Sequence, residues 1–268
     1  VIIFSYDCDA YVKGEKMLSI ARRTAAGAAL LLVMPVAVWV SGWTWQPEPG
    51  GWGLKMFYWI TETVTEPWGV ITHVLLFGWF LWCLRFRLKA AIVLFAILAG
   101  VILLGQSVKS YVKKSVQEPR PFVVWLEKNK QVPVDEFYAL KRKQRGELVE
   151  RQLADMDSLP LYLRKHWQFE TGYAFPSGHT MFVASWALLA VGLLWPRRRT
   201  FTIVLLLAWA TAVMGSRLVL GMHWPRDLIA STIVSWLLVT LATWLTRKLC
   251  GPLTPPPEEA SDIRERAE

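Results

Sequence analysis

Three separated stretches of this 268-residue chain concentrate side chains able to handle a phosphate: "KKSVQEPRP" at 113–121, "PSGH" at 176–179 and "SRLVLGMHWPRD" at 216–227. Among their charged and titratable residues are the cations Lys113, Arg120 and Arg217, the histidines His179 and His223, and the carboxylate of Asp227. Converging guanidinium and ammonium groups suit an oxyanion with several negative oxygens, which points to a phosphate. In "PSGH", Pro176 suits the first turn of a helix, so the amides near Ser177, Gly178 and His179 have no partner within it and face whatever lies above. Gly178 lets that ligand come close, and the positive end of the helix dipole favours an anion there. Read alone, the stretch is equally a plain helix cap. In "GMHWPRD", Pro225 predicts another helix start, with His223 just outside it and Asp227 in its first turn. Asp227 then either complements the dipole as a cap or accepts a hydrogen bond from one ring nitrogen of His223. The second arrangement fixes the tautomer and leaves the other nitrogen as a nucleophile. Single cations beside a bilayer ordinarily snorkel or meet headgroups, so the chemistry rests on the set. Arg226 gains no role from it.

The elements that must position these residues are membrane helices. The chain is 54% hydrophobic and holds 16 tryptophans, outside the range of ordinary soluble domains. Six charge-free runs approach the roughly 20 residues needed to cross a bilayer: Thr24 to Trp43, Pro67 to Leu84, Ala90 to Val108, Thr171 to Pro196, Thr200 to Ser216 and Leu228 to Thr246. The expected fold is therefore all-α: a polytopic membrane protein with six transmembrane helices and a small, mostly helical periplasmic domain between helices 3 and 4. The first run has no cleavage site after it and reads as an uncleaved anchor. Basic clusters at Arg22 and Arg23, at Arg85, Arg87 and Lys89, at 197–199, and at Arg247 and Lys248 mark every second loop. By the positive-inside rule both termini are cytoplasmic. All three phosphate-handling stretches then fall on the outer face.

The expected division is residues 1–16 as an upstream extension or scar, 17–108 as helices 1 to 3, 109–172 as the periplasmic domain carrying the first motif, 173–250 as helices 4 to 6, and 251–268 as a disordered, proline-rich cytoplasmic tail. Within the outer domain "DEFYALKRKQRGELVERQLADM" reads as helical, and the aromatic loop Thr44 to Glu66, with Trp45, Trp52 and Trp59, reads as an interfacial segment. Cys8, Cys83 and Cys250 have neither disulfide nor metal spacing. The net charge of +9 sits largely beside the apolar runs, which explains it without a nucleic-acid partner.

Lys113 followed by six residues and "RP", then "PSGH", then "SR" followed by five residues, His223, three residues and Asp227, resemble the three-part signature of the type 2 phosphatidic acid phosphatase family, whose soluble relatives include vanadium haloperoxidases. The resemblance, with the six-span layout, extends from Met17 to about Leu253. It implies in-line attack by His223 on phosphorus, orientation by Asp227, and His179 as acid towards the departing lipid oxygen and then base for water. It gives Lys113, Arg120, Ser177, Gly178 and Arg217 to the phosphoryl oxygens. Implied substrates are phosphatidylglycerophosphate and, in many members, undecaprenyl pyrophosphate, phosphatidic acid, lysophosphatidic acid and diacylglycerol pyrophosphate; the implied location is the bacterial inner membrane. Glu170 is a candidate headgroup contact, a solvated loop carboxylate being the ordinary alternative. No cofactor and no metal is expected: a two-His-one-carboxylate site from His179, His223 and Asp227 is conceivable, but the flanking cations oppose it. Two rivals stay open, a non-catalytic lipid-phosphate binding or transport protein and a haloperoxidase using vanadate.

Overall fold

The computed structural model describes residues 17–85 and 88–250, and every element among them is helical. The extension 1–16 with Cys8, the tail 251–268, and Arg87 of the second basic cluster lie outside the described residues. Helices α1 (Met17–Val40), α2 (Trp52–Glu62), α3 (Trp68–Leu84) and α4 (Leu88–Val116) come first, then the short α5 (Pro121–Lys130), α6 (Val134–Ala139), α7 (Arg142–Gln152) and α8 (Leu161–Phe169), and finally α9 (Gly178–Leu189), α10 (Thr200–Val219) and α11 (Pro225–Cys250).

Among the described residues five helices are long and apolar enough to cross a membrane: α1, α4, α9 with its continuation to Arg197, α10 and α11. The apolar α3 has 17 residues, about 26 Å of helix. Helix α4 runs unbroken past Lys109 to Val116, so the first motif begins on a rod rising out of the apolar zone.

α11 packs against α1, α4 and α9, and α9 packs against α10. Their apolar faces form one core with Leu31, Phe80, Leu94, Val183, Leu188, Val213, Met214 and Val239. Small hydroxyls tie it across the helices: Thr24 meets Thr240 at 2.8 Å, and Trp236 Nε1 donates to Thr24. Such bonds hold helices together where surrounding lipid gives no hydrophobic drive.

A second core sits above the first and holds the site in register. Trp167 is fully buried, stacked on Phe122 with ring centroids 5.2 Å apart and edge-on to Trp45. Trp45 differs from the interfacial expectation, being buried and donating through Nε1 to the Val219 carbonyl at 2.8 Å. The indole is too deep to lie at the headgroup level because a polar acceptor waits for it inside. "DEFYALKRKQRGELVERQLADM" is two helices, α6 and α7, broken at Leu140 and Lys141, with α7 packed against α8.

Candidate active site

The three stretches meet at one end of the bundle, stapled by hydrogen bonds to main-chain carbonyls. Ala174 N–H donates to the Glu118 carbonyl at 2.7 Å, Trp224 Nε1 to the Pro119 carbonyl at 2.8 Å, and Phe122 N–H to the Gly221 carbonyl at 3.0 Å. The α10–α11 turn depends on Gly221, whose φ of +69° suits a residue without Cβ, and a Cβ there would run into the Trp45 ring. Trp45 and Trp167 each donate to carbonyls of this turn. Aromatic packing far from any ligand thus sets the position of His223.

Pro225 opens α11, leaving His223 outside it and Asp227 in its first turn, as the spacing predicts. Asp227 is fully buried, and its Oδ2 lies 3.2 Å from His223 Nδ1 while accepting the Trp224 N–H at 2.9 Å. Nε2 of His223 is the nitrogen not engaged by the carboxylate. Helix α9 starts at Gly178, two residues later than Pro176 suggests: Ser177 is the N-cap, its hydroxyl accepting the Thr180 N–H. Ser177 N–H donates instead to Ser231 Oγ of α11, and that hydroxyl donates to the Asp227 carbonyl. The histidine motif and the helix start are thus linked through one serine. Gly178 brings Lys109 close, since an added Cβ would sit 3.3 Å from its Cδ.

Glu170 is the largest departure from expectation. Its side chain is 11% exposed, and Oε2 takes hydrogen bonds from both Arg120 (2.9 Å) and Arg217 (2.7 Å). Oε1 lies 3.5 Å from His179 Nε2. A solvated loop glutamate is therefore not what folds; two buried guanidiniums need a counter-charge, and Glu170 is within reach. Burial alone would raise its pKa, but the charges of Arg217, His179 and Arg120 overcome this and hold it well below the usual carboxylate range. A phosphoryl oxygen in place of Oε2 would meet both guanidiniums.

Burial pushes the His223 pKa well below the ordinary 6.5, and the charges of Arg120, Arg217 and Lys113 push it the same way. The imidazole is neutral at pH 7, the form a nucleophile needs. Lys113 Nζ donates to the Tyr173 carbonyl. Arg120 also donates from Nε to the Gly172 carbonyl at 2.7 Å. Arg226 pairs with Glu118 and so fastens the loops without facing the histidines.

The structure adds residues that spacing gave no reason to single out. His166 of α8 is buried, 3.1 Å from Arg217 through Nε2 and 3.4 Å from Glu62 through Nδ1. Thr61 accepts from Arg217 at 2.8 Å, and Thr65 lies 3.2 Å from His179 Nε2. The position of Thr61 follows from α2 packing on α10, a tertiary fact.

Lys109, Lys113, Arg120, Glu170, Gly178, His179 and His223 line one cavity of about 400 Å³. Lys109 and Gly178 also line a narrow apolar slot of about 70 Å³ that continues between α3, α4, α9 and α11 past Val101, Phe182 and Leu238. A charged chamber thus adjoins an apolar channel in the helix bundle.

Residues 89–249 match the PAP2 superfamily. Phosphatidylglycerophosphatase B of Escherichia coli (strain K12) is 72% identical over 250 residues, 93% of this chain and 98% of the relative. The protein of the same name from Haemophilus influenzae is 33% identical over 227 residues, 81% of this chain and 92% of its own. A lipid A 4'-phosphatase of Bacteroides thetaiotaomicron is 32% identical over 98 residues, 35% of this chain and 42% of its own. With all three motifs assembled around one cavity and the match covering most of the chain, the protein belongs to the PAP2 superfamily.

Proposed function

We propose that the chain is an integral membrane lipid phosphatase that hydrolyses phosphatidylglycerophosphate to phosphatidylglycerol and phosphate. The activity named for its Escherichia coli and Haemophilus influenzae relatives supports that substrate. The proposed range extends to undecaprenyl pyrophosphate, phosphatidic acid, lysophosphatidic acid and diacylglycerol pyrophosphate, because the cavity grips phosphate and leaves the rest of the lipid to an apolar slot. The observation that carries the reading is His223, backed by Asp227, on the wall of a cation-lined chamber that adjoins that slot.

In the proposed mechanism Nε2 of His223 attacks phosphorus in line as the bond to the lipid oxygen breaks. Protonated His179 gives its proton to that oxygen, and the phosphoryl group rests on His223 with Asp227 balancing the cation. Water then attacks phosphorus, His179 takes a proton from it, the P–N bond breaks and phosphate leaves. Lys113, Arg120 and Arg217, with Ser177 and the amides near Gly178, hold the charge spread over the oxygens; phosphoryl transfer depends mainly on such positioning. Glu170 yields the guanidiniums to substrate and stays beside His179, where it supports the proton that the acid must carry.

We assign the chain to the bacterial inner membrane with α3 as a sixth span, at the lower limit of the 17–25 residues that cross a bilayer, and with the site on the periplasmic face. The experiment is phosphate release by purified protein from phosphatidylglycerophosphate and undecaprenyl pyrophosphate side by side, repeated with His223→Ala. Turnover of at least one lipid, abolished in the variant while lipid binding persists, is expected. Lipid binding without turnover in the wild-type protein would give the site to a carrier.

A further inference from the structure

At the end of the bundle opposite the phosphate site, a cavity of about 710 Å³ opens where the first half of α1 meets the end of α9 and the start of α10. Gly27, Leu30, Val191, Ile203 and Leu207 line it, with Arg22 and Arg23 on the same wall as the start of α1. Local structure explains the space. Gly27 brings α1 against α9, where an added Cβ would sit 3.0 Å from Val191 and 3.1 Å from Leu188. One turn further on, α9 stops being an α-helix: Ala190–Leu194 form a π turn and Trp195–Arg197 a 3-10 turn. A π turn breaks the regular carbonyl pattern, and the Gly192 carbonyl accepts from Arg23 Nη2 at 2.9 Å. That bond fixes one guanidinium at the rim. Arg22 beside it is exposed, and Leu30 and Trp195 on the walls are 62% and 56% exposed, apolar surface facing outwards from the bundle.

We propose that this groove holds one anionic phospholipid from the leaflet on that side, its phosphodiester against Arg22 and Arg23 and one acyl chain lying between α1 and α10. Two adjacent guanidiniums at one end of an apolar trough match a molecule with a phosphate at one end and a hydrocarbon chain at the other. From Leu18 to Leu30 the helix rises about 18 Å, enough to cover one leaflet of a hydrocarbon core roughly 30 Å thick. A zwitterionic headgroup brings its own ammonium to the same two cations, so selection by charge is built in. Helix α1 lies outside the residues matched to the superfamily, and the groove is separate from the chamber at the other end of the bundle.

The test uses the full chain in nanodiscs with phosphatidylglycerol or phosphatidylcholine carrying the same photoreactive acyl chain, with adducts mapped by peptide mass spectrometry. Adducts in 18–30 and 191–207 are expected from phosphatidylglycerol about five-fold or more above phosphatidylcholine, with a loss of about five-fold in Arg22→Gln, the worth of one basic residue at a membrane surface. Ala26→Trp, which fills the trough from an exposed position, should remove these adducts while phosphate release and melting temperature stay at the wild-type level. Labelling from phosphatidylglycerol around residues 109–120 and 172–179 belongs to the phosphate chamber and is counted apart. Equal labelling of the trough by both lipids, or labelling unchanged in both variants, overturns the proposal. So does labelling that emerges only once residues 1–16 are removed, which would give the trough to that segment.

Discussion

Replacing Asp227 by Asn separates charge from shape at the proposed nucleophile. Oδ2 is 3.2 Å from His223 Nδ1 and also accepts the Trp224 N–H. An amide oxygen in the same place can keep both bonds, so the variant loses mainly the negative charge. Unit charges 3.2 Å apart attract by about 5 kcal/mol at an effective dielectric of about 20. With half to all of the imidazolium charge developed at the transition state, kcat should fall by about 10²- to 10⁴-fold. KM should change little, since Asp227 lies behind the histidine and outside the residues lining the chamber. The assay is phosphate release from a lipid phosphate in mixed micelles, with melting temperature as the check on folding. A fall in kcat under ten-fold, or a loss confined to KM, would show that Asp227 does not support charge on His223.

Three further outcomes follow from the geometry. Ser231→Ala leaves the buried Ser177 N–H without its acceptor, which should cost about 1–3 kcal/mol of stability, read as a lowered melting temperature in detergent; an unchanged value would mean that water replaces the hydroxyl. His223 is held neutral with its pKa below the ordinary 6.5, so the unfolded chain binds more protons there. Its contribution to stability is full above about 6.5 and is lost as the pH falls, and the melting temperature of His223→Gln should depend less on pH between 7 and 5 than that of the wild type. For topology, cysteines at Ser115 and Arg198, both exposed and on opposite ends of the bundle, should react from outside the cell at 115 and not at 198; the reverse pattern inverts the orientation.

The motif residues were legible in the sequence because their chemistry depends on local spacing: four residues from His223 to Asp227 place both at one helix start, and a serine ahead of Gly178 caps another. The partners of Arg217 were not: Glu170 was a candidate only as a headgroup contact, and nothing in the spacing marked His166 or Thr61. Glu170 and His166 reach Arg217 from the end of α8 and Thr61 from α2, and no periodicity records that α2 and α8 close over the end of α10. The same holds for Trp45, whose composition-rich loop suits an interface until the Val219 carbonyl is seen to take its N–H. The apolar runs mark the helices, but α4 continues to Val116 and carries Lys109 and Lys113 to the wall of the chamber, which a charge-free window cannot anticipate.

With His223 as the nucleophile, phosphate rests covalently on its imidazole during turnover. Rapid quenching at high pH after mixing with lipid labelled in its phosphate should trap acid-labile, base-stable label, and peptide mapping should place it on residue 223. The label should be absent in His223→Gln and should persist longer in His179→Ala than in the wild type, because the second step loses its base. Label on another residue, or full turnover with none trapped and inversion of configuration at phosphorus, would contradict the account.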